Sequence, residues 1–368
     1  MTYSEISRIL KKEHSITLSS NAICKRLIRL NYPRRRGQTN CTDADLRAHI
    51  QELLTTVPNT VGYRYMTDIL KHKGIPVRRD KVMQILRDLD PVGVRFRRRR
   101  RIMRKVYYSC GPNFIWHVDG YDKLKPYGFP IHGCIDGYSR KILWLVVGPS
   151  NNNPAIVGQH FLNCVRRLQG CPTILQSDPG TENIIMGALQ CLFRHEGKDM
   201  FTGIDSYRVV RSLFNQRIEC WWSMMRRHQM EWWIHFFKDL EVFGAFQRGN
   251  LHHIYAIRFS FMPLLQHELN NLVEQWNNHS ISYNRHAACP HGKPTVLYLL
   301  PEEKGFLNCL QSVNEEDIEF AGTQCKVPSR SGSHDFDEQA SLIFIQRGWH
   351  DASNWREALA QYFVLRDY

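Results

Sequence analysis

Three acids in three separate motifs have the makings of one metal site: Asp119 in Trp116-His117-Val118-Asp119-Gly120, Asp178 in Gln176-Ser177-Asp178-Pro179-Gly180-Thr181-Glu182-Asn183, and Glu219 in Asn215-Gln216-Arg217-Ile218-Glu219-Cys220-Trp221-Trp222. Hard divalent cations take oxygen ligands from several elements, and a pair of them can serve an in-line displacement at phosphorus. Each acid also has a plain structural use. Asp178 before Pro-Gly is a good turn former, Glu219 can pair with a neighbouring arginine, and Asp119 can cap a loop. Asp136 and Glu182 are competing carboxylates.

Positioning such acids requires strands and helices that meet at one edge. Phe114 to Asp119, Ile131 to Asp136 and Lys141 to Val147 read as three closely spaced strands, and so as antiparallel hairpins. Pro154 to Leu168 has a helical stripe of Ile156, Val157, Phe161, Leu162, Val165 and Leu168. Thr173 to Ser177 forms a fourth strand ending at Asp178, Thr181 to Arg194 a helix, Tyr207 to Val210 a fifth strand, and Asn215 to His228 the helix with Glu219. Strands first and alternation later predict a mixed α/β layer. On the last helix Asn215, Ser223, Arg226 and Arg227 form a polar stripe suited to a phosphate backbone, with Ile218, Trp222 and Met225 on the buried side. His117 shares the strand face of Asp119 and reads as a packed or DNA-contacting histidine rather than a ligand.

Charge separates the front of the chain from the rest. Residues 1–110 hold 25 Lys and Arg against 9 Asp and Glu, a surplus of 16; the remaining residues carry 24 against 26. Thr2 to Glu5 has the form of a capping box, followed by Ile6, Ile9 and Leu10 on one helical face. Ser19 or Ser20 can cap a second helix with Ile23, Leu27 and Leu30 inward and Lys25, Arg26 and Arg29 outward, the helix-turn-helix pattern. The pattern recurs. Thr42 to Asp45 caps a helix through Leu54, Tyr63 to Lys73 is stopped by Gly74, and Arg78, Arg79 and Lys81 open a helix to Leu89 where a recognition helix would meet a groove. Arg95, Arg97, Arg98, Arg99, Arg100, Arg101, Arg104 and Lys105 then form a run that repels itself unless phosphates neutralise it, as a nuclear-import signal or a DNA-gripping linker.

The motifs around the three acids, with Ile135-Asp136-Gly137-Tyr138-Ser139-Arg140 between them, resemble the catalytic cores of retroviral integrases and insertion-sequence transposases over about residues 112–230. The resemblance implies a ribonuclease H-like fold: a mixed five-stranded sheet flanked by helices, here preceded by an all-α helix-turn-helix region. It also implies that Asp119, Asp178 and Glu219 bind two Mg²⁺ or Mn²⁺ ions, and that double-stranded DNA is cut and joined without a nucleotide cofactor. In such a family the chain self-associates on paired DNA ends. Two other readings stay open: a DNA-binding regulator or scaffold that has lost catalysis, and a nuclease that only hydrolyses. The chain departs from retroviral integrases in lacking a His-His-Cys-Cys zinc module before the core, and Gly197 to Ser206 looks like an extra loop.

The expected organisation is a helix-turn-helix at 1–38, a second such unit at 39–95, a basic linker at 96–111, the core with a helical extension at 112–300, and a region of unassigned role at 301–368. The 43% apolar content suffices for at least one sizeable core. Eleven cysteines without Cys-x-x-Cys spacing indicate neither a zinc ribbon nor a disulfide scaffold. With no secretion signal and no membrane-length apolar run, the chain is expected inside the cell, in the nucleus if eukaryotic and otherwise in the cytoplasm. Trp232 to Phe243 and Leu264 to Trp276 suggest apolar helices that serve as core or as a subunit interface.

Overall fold

The computed structural model describes residues 2–30, 42–56, 61–75, 77–97, 107–284 and 287–368, with backbone alone for 56 and 95–97. At its centre is one five-stranded sheet in the order β3-β2-β1-β4-β5. β1 (Ile115–Tyr121), β2 (Ile131–Asp136) and β3 (Ile142–Val147) are antiparallel neighbours; β4 (Ile174–Ser177) and β5 (Tyr207–Val209) run parallel to β1 on its other side. The mixed α/β expectation holds.

The sheet is covered on both faces, which explains why its strands read as continuous apolar runs rather than as clean alternation. Alternate residues still part company: Trp116, Val118 and Cys134 pack toward α7 (Pro154–Leu168) and α8 (Ile184–Phe193), while Tyr121, Ile131 and Ile135 pack toward α9 (Gln216–Met225), α10 (Glu231–Val242) and α11 (Leu251–Asn278). A π-helical turn, Arg226–Met230, links α9 to α10 in place of the single helix expected to His228. The helix expected from Leu264 is longer than predicted, because Asn250 caps it and Pro263 is carried inside it.

The region after residue 300 is helical and joins the same cores. Beyond α12 (Pro294–Leu299), α13 (Glu315–Gln324) packs on α7, and α14 (His334–Arg347) and α15 (Trp355–Arg366) pack on α11, burying Phe344, Tyr362 and Leu365.

The basic front end forms α1 (Tyr3–His14) and α2 (Ser20–Arg29), then α3 (Asp43–Thr56), α4 (Tyr63–His72), α5 (Arg79–Leu89) and the short α6 (Pro91–Arg97). The capping boxes at Thr2 and Thr42 form, Ser19 caps α2, and Gly74 takes the left-handed conformation that ends α4. Leu30 is exposed rather than inward, since α2 ends one residue earlier. α3, α4 and α5 enclose their own core of Leu46, Ile50, Met66, Leu70, Val82 and Leu86. Tyr65 of α4 stacks on His228 of the π turn with ring centroids 4.0 Å apart, so this unit is seated against the end of the Glu219 helix. Among the described residues no helix is long and apolar enough to cross a membrane.

Candidate active site

The three acids come from β1, the end of β4 and α9, and all are partly buried. Parallel pairing of β1 with β4, His117 opposite Gln176, carries Asp119 and Asp178 toward the same sheet edge. Asp119 lies opposite Gly133 of β2, and a Cβ there would stand 2.7 Å from the Trp222 ring. The missing side chain lets the α9 indole lie flat on the sheet and donate from Nε1 to Asp119 Oδ2 at 2.8 Å. Trp222, expected only on the buried side, therefore also holds the first acid.

Asp178 is fixed from the opposite direction. Asn215 Nδ2 donates to Asp178 Oδ1 at 3.1 Å and to the Val118 carbonyl at 2.9 Å, and the Ser212 hydroxyl donates to Asp178 Oδ2. Both Asn215 donors are thus spent, which turns its Oδ1 to His117 Nδ1 at 2.8 Å. Nδ1 also lies 3.2 Å from Gln176 Nε2, and with its proton toward the nearer Asn215 oxygen, Nε2 accepts from the Tyr107 hydroxyl at 2.7 Å. Burial pushes His117 down to about 4, so the ring is neutral and a packed histidine, as expected. Asn215 departs from expectation: it is fully buried and ties β1 to the end of β4, instead of facing a phosphate.

Two of the acids are raised by burial and by their acidic neighbours. Burial, with Asp178 and Glu219 close by, pushes the Asp119 carboxyl up to about 7, against the pull of the Trp222 hydrogen bond. Burial and the nearby Asp178 also raise Glu219. Charges that repel one another across a half-dry edge are the donor set a divalent cation relieves. In chemistry the residues fit two Mg²⁺ or Mn²⁺ ions. In position, among the described residues, no group of three His, Cys, Asp or Glu is drawn together closely enough to hold an ion. The carboxylate oxygens already bonded each retain a second lone pair.

The competing carboxylates have other work. Asp136 is buried, accepting from the Asn113 and Ser139 amides and the Ser139 hydroxyl, and so pins the β2–β3 turn to the entry of β1. Glu182 accepts from Asn183 Nδ2 at 3.1 Å at the rim of the same edge.

The basic residues singled out from sequence are spread along the chain. Lys25, Arg26, Arg29, Arg78 and Arg79 are exposed on α2 and at the start of α5, and Lys81 pairs with Asp43. Arg226 pairs with Glu231 at 2.9 Å and Arg227 donates to the Ser223 carbonyl, both exposed beyond Glu219. Of Arg97 only the backbone is described, at the end of α6, and Arg98, Arg99 and Arg100 lie outside the described residues. Sequence reading missed Tyr107, Ser212 and the indole contact. Only Trp222 left a signal, its i+3 spacing from Glu219.

The family model described as integrase core domain matches residues 106–299. None of the curated proteins compared with the chain matches it.

Proposed function

The chain belongs to the integrase core domain family, and from that premise we propose that it cuts and joins DNA strands at Asp119, Asp178 and Glu219 with two Mg²⁺ or Mn²⁺ ions. The observation that carries this reading is that β1, the end of β4 and α9 bring three carboxylates to one edge of the sheet, where Trp222 of the Glu219 helix bonds Asp119 and Asn215 at the start of that helix bonds Asp178. When bound, the ions would make a nucleophile of a water or a DNA 3′-hydroxyl near neutral pH and stabilise the departing oxygen.

The chain's own residues do the rest. Burial and the two neighbouring acids push the Asp119 carboxyl up to about 7, so near neutral pH a proton would compete with a cation for it. Trp222 orients Asp119, while Ser212 and Asn215 orient Asp178, so neither acid must be immobilised during reaction. Arg226 and Arg227, about two turns beyond Glu219, would steady the phosphate backbone. Lys25, Arg26, Arg29, Arg78, Arg79 and Lys81 would grip DNA through helix-turn-helix units, and Arg97 to Arg100 through the basic linker. Self-association on paired ends would follow the family.

The test is nicking and strand transfer on oligonucleotides bearing repeats from the gene's own flanks, with Mg²⁺ or Mn²⁺. Asp119→Asn, Asp178→Asn and Glu219→Gln should each abolish both; full activity in all three sinks the proposal. Product analysis separates transfer to a 3′-hydroxyl from hydrolysis, and binding without turnover in the unaltered chain identifies a regulator.

A further inference from the structure

A series of largely buried hydrogen bonds ends on Asp178 and begins at a residue far from it in sequence. Asn215 Nδ2 donates to Asp178 Oδ1 and to the Val118 carbonyl, which orients the amide and sets its Oδ1 against His117 Nδ1 at 2.8 Å. With the ring proton on Nδ1, Nε2 accepts from the Tyr107 hydroxyl at 2.7 Å, while Gln176 Nε2, 3.2 Å from the same Nδ1, donates to the Phe214 carbonyl.

Two neighbours fix Tyr107 in this place. A Cβ on Gly137, just after β2, would collide with the Tyr107 hydroxyl, so the bare glycine leaves that oxygen its room beside His117. The Arg217 guanidinium stands 4.1 Å from the centre of the Tyr107 ring and acts on its hydroxyl, and a cation draws the oxygen lone pairs and turns the proton away, toward His117. Arg217 lies on α9 two residues before Glu219. Charge and hydrogen bonds therefore run in one direction from Arg217 through Tyr107, His117 and Asn215 to Asp178, the order in which buried hydrogen bonds reinforce one another. Without the hydroxyl, His117 Nε2 is a buried acceptor lacking its donor, and the ring is free to move its proton there. Nδ1 and Asn215 Oδ1 would then be two acceptors face to face, and the amide would turn from Asp178.

Resting on the two-metal reading of the acids, we propose that Tyr107 is a positioning residue of the metal site, its hydroxyl fixing through His117 and Asn215 the orientation in which Asp178 takes a cation.

The test is Mn²⁺ binding to the full chain without DNA, read from the electron paramagnetic resonance of the free ion. Tyr107→Phe keeps the ring and should weaken binding about threefold to tenfold, the worth of one net hydrogen bond. Tyr362→Phe deletes another buried hydroxyl, one that donates to the Ala245 carbonyl and to none of these groups, and should leave binding unchanged. Added to Asn215→Ala, Tyr107→Phe should weaken binding no further. Unchanged affinity in Tyr107→Phe, an equal loss in Tyr362→Phe, or full additivity with Asn215→Ala overturns the proposal. Independently of how any variant folds, nitrogen NMR of the unaltered protein should find the His117 proton on Nδ1; a proton on Nε2 overturns the proposal as well. Weakened binding in Tyr107→Phe, with no nicking by the unaltered protein, upholds the positioning role and refutes strand transfer. Unchanged binding beside nicking that Asp119→Asn abolishes refutes the positioning role alone, and an unaltered protein that binds no Mn²⁺ refutes both.

Discussion

At the scale of single residues, Asp119 sets the pH behaviour. Its carboxyl is raised from the ordinary 3.8 to about 7, so the folded protein holds a proton that the unfolded chain releases across that interval. This contribution to stability is full below about pH 4 and lost as pH climbs through 7. Without divalent cations Asp119→Asn should therefore stabilise the protein at pH 8, by roughly 2 kcal/mol or more, and hardly at all at pH 4, as read from thermal unfolding in chelator. Added Mg²⁺ should stabilise the unaltered protein above pH 7 and lose its effect below pH 6, where protons outcompete it. Trp222→Phe tests the local cause. The indole hydrogen bond holds the carboxyl down, so removing it should move the acidic limb of the metal-dependent rate toward higher pH. A limb that stays in place would mean that the indole only packs.

Elements rather than residues decide whether the acids meet. Asn215 sits in the turn before α9 and bonds at once to the β1 backbone, to Asp178 and to His117, so it works as the rivet between two strands and a helix. Asn215→Ala takes a donor from the Val118 carbonyl and the nearer of two polar neighbours from His117 Nδ1, at a cost of about 1–3 kcal/mol. Activity should fall with it, and at saturating Mg²⁺ it should return in part if the defect is a loosened Asp178. Denaturant unfolding and a Mg²⁺ titration of nicking check both. The strands and the helical stripe of α7 were legible in sequence because apolar runs bounded by Gly and Pro leave few alternatives; β4 ends just before Asp178 as expected, whereas β1 runs two residues past Asp119. Asn215 misled for a physical reason. Its helical spacing from Glu219 suggested a shared outer face, but it lies before the first turn of α9, where helical spacing does not apply. Tyr107 and Ser212 were illegible because their contacts depend on how separate elements dock, which no local pattern encodes.

Over the whole molecule, the C-terminal helices silent in sequence are part of the core: Tyr362 is fully buried and its hydroxyl donates to the Ala245 carbonyl. Weak helical amphipathicity hid them: α15 buries Ala358, Gln361, Tyr362 and Leu365, while Arg356, Glu357 and Ala360 are exposed. The opposite holds at the front end, where charge was legible and docking was not. The basic unit of α3 to α5 keeps a core of its own yet touches the catalytic half through Tyr65 on His228 and the Arg64 contact to Ser282. On the proposed function its exposed arginines would add to DNA affinity away from the three acids, and the two contributions can be separated by salt. Each phosphate neutralised releases condensed counterions, so the logarithm of the binding constant should fall linearly with that of salt concentration. Arg78→Ala and Arg79→Ala should each flatten that slope by about 1, weaken binding alike on all sequences, and leave the rate of bound, metal-loaded complex unchanged. Fluorescence anisotropy between 50 and 200 mM salt, paired with single-turnover nicking at saturating protein, reads the two effects apart. An unchanged slope in both variants would take α5 out of the DNA interface and leave the grip to α2 and the arginine-rich run after α6.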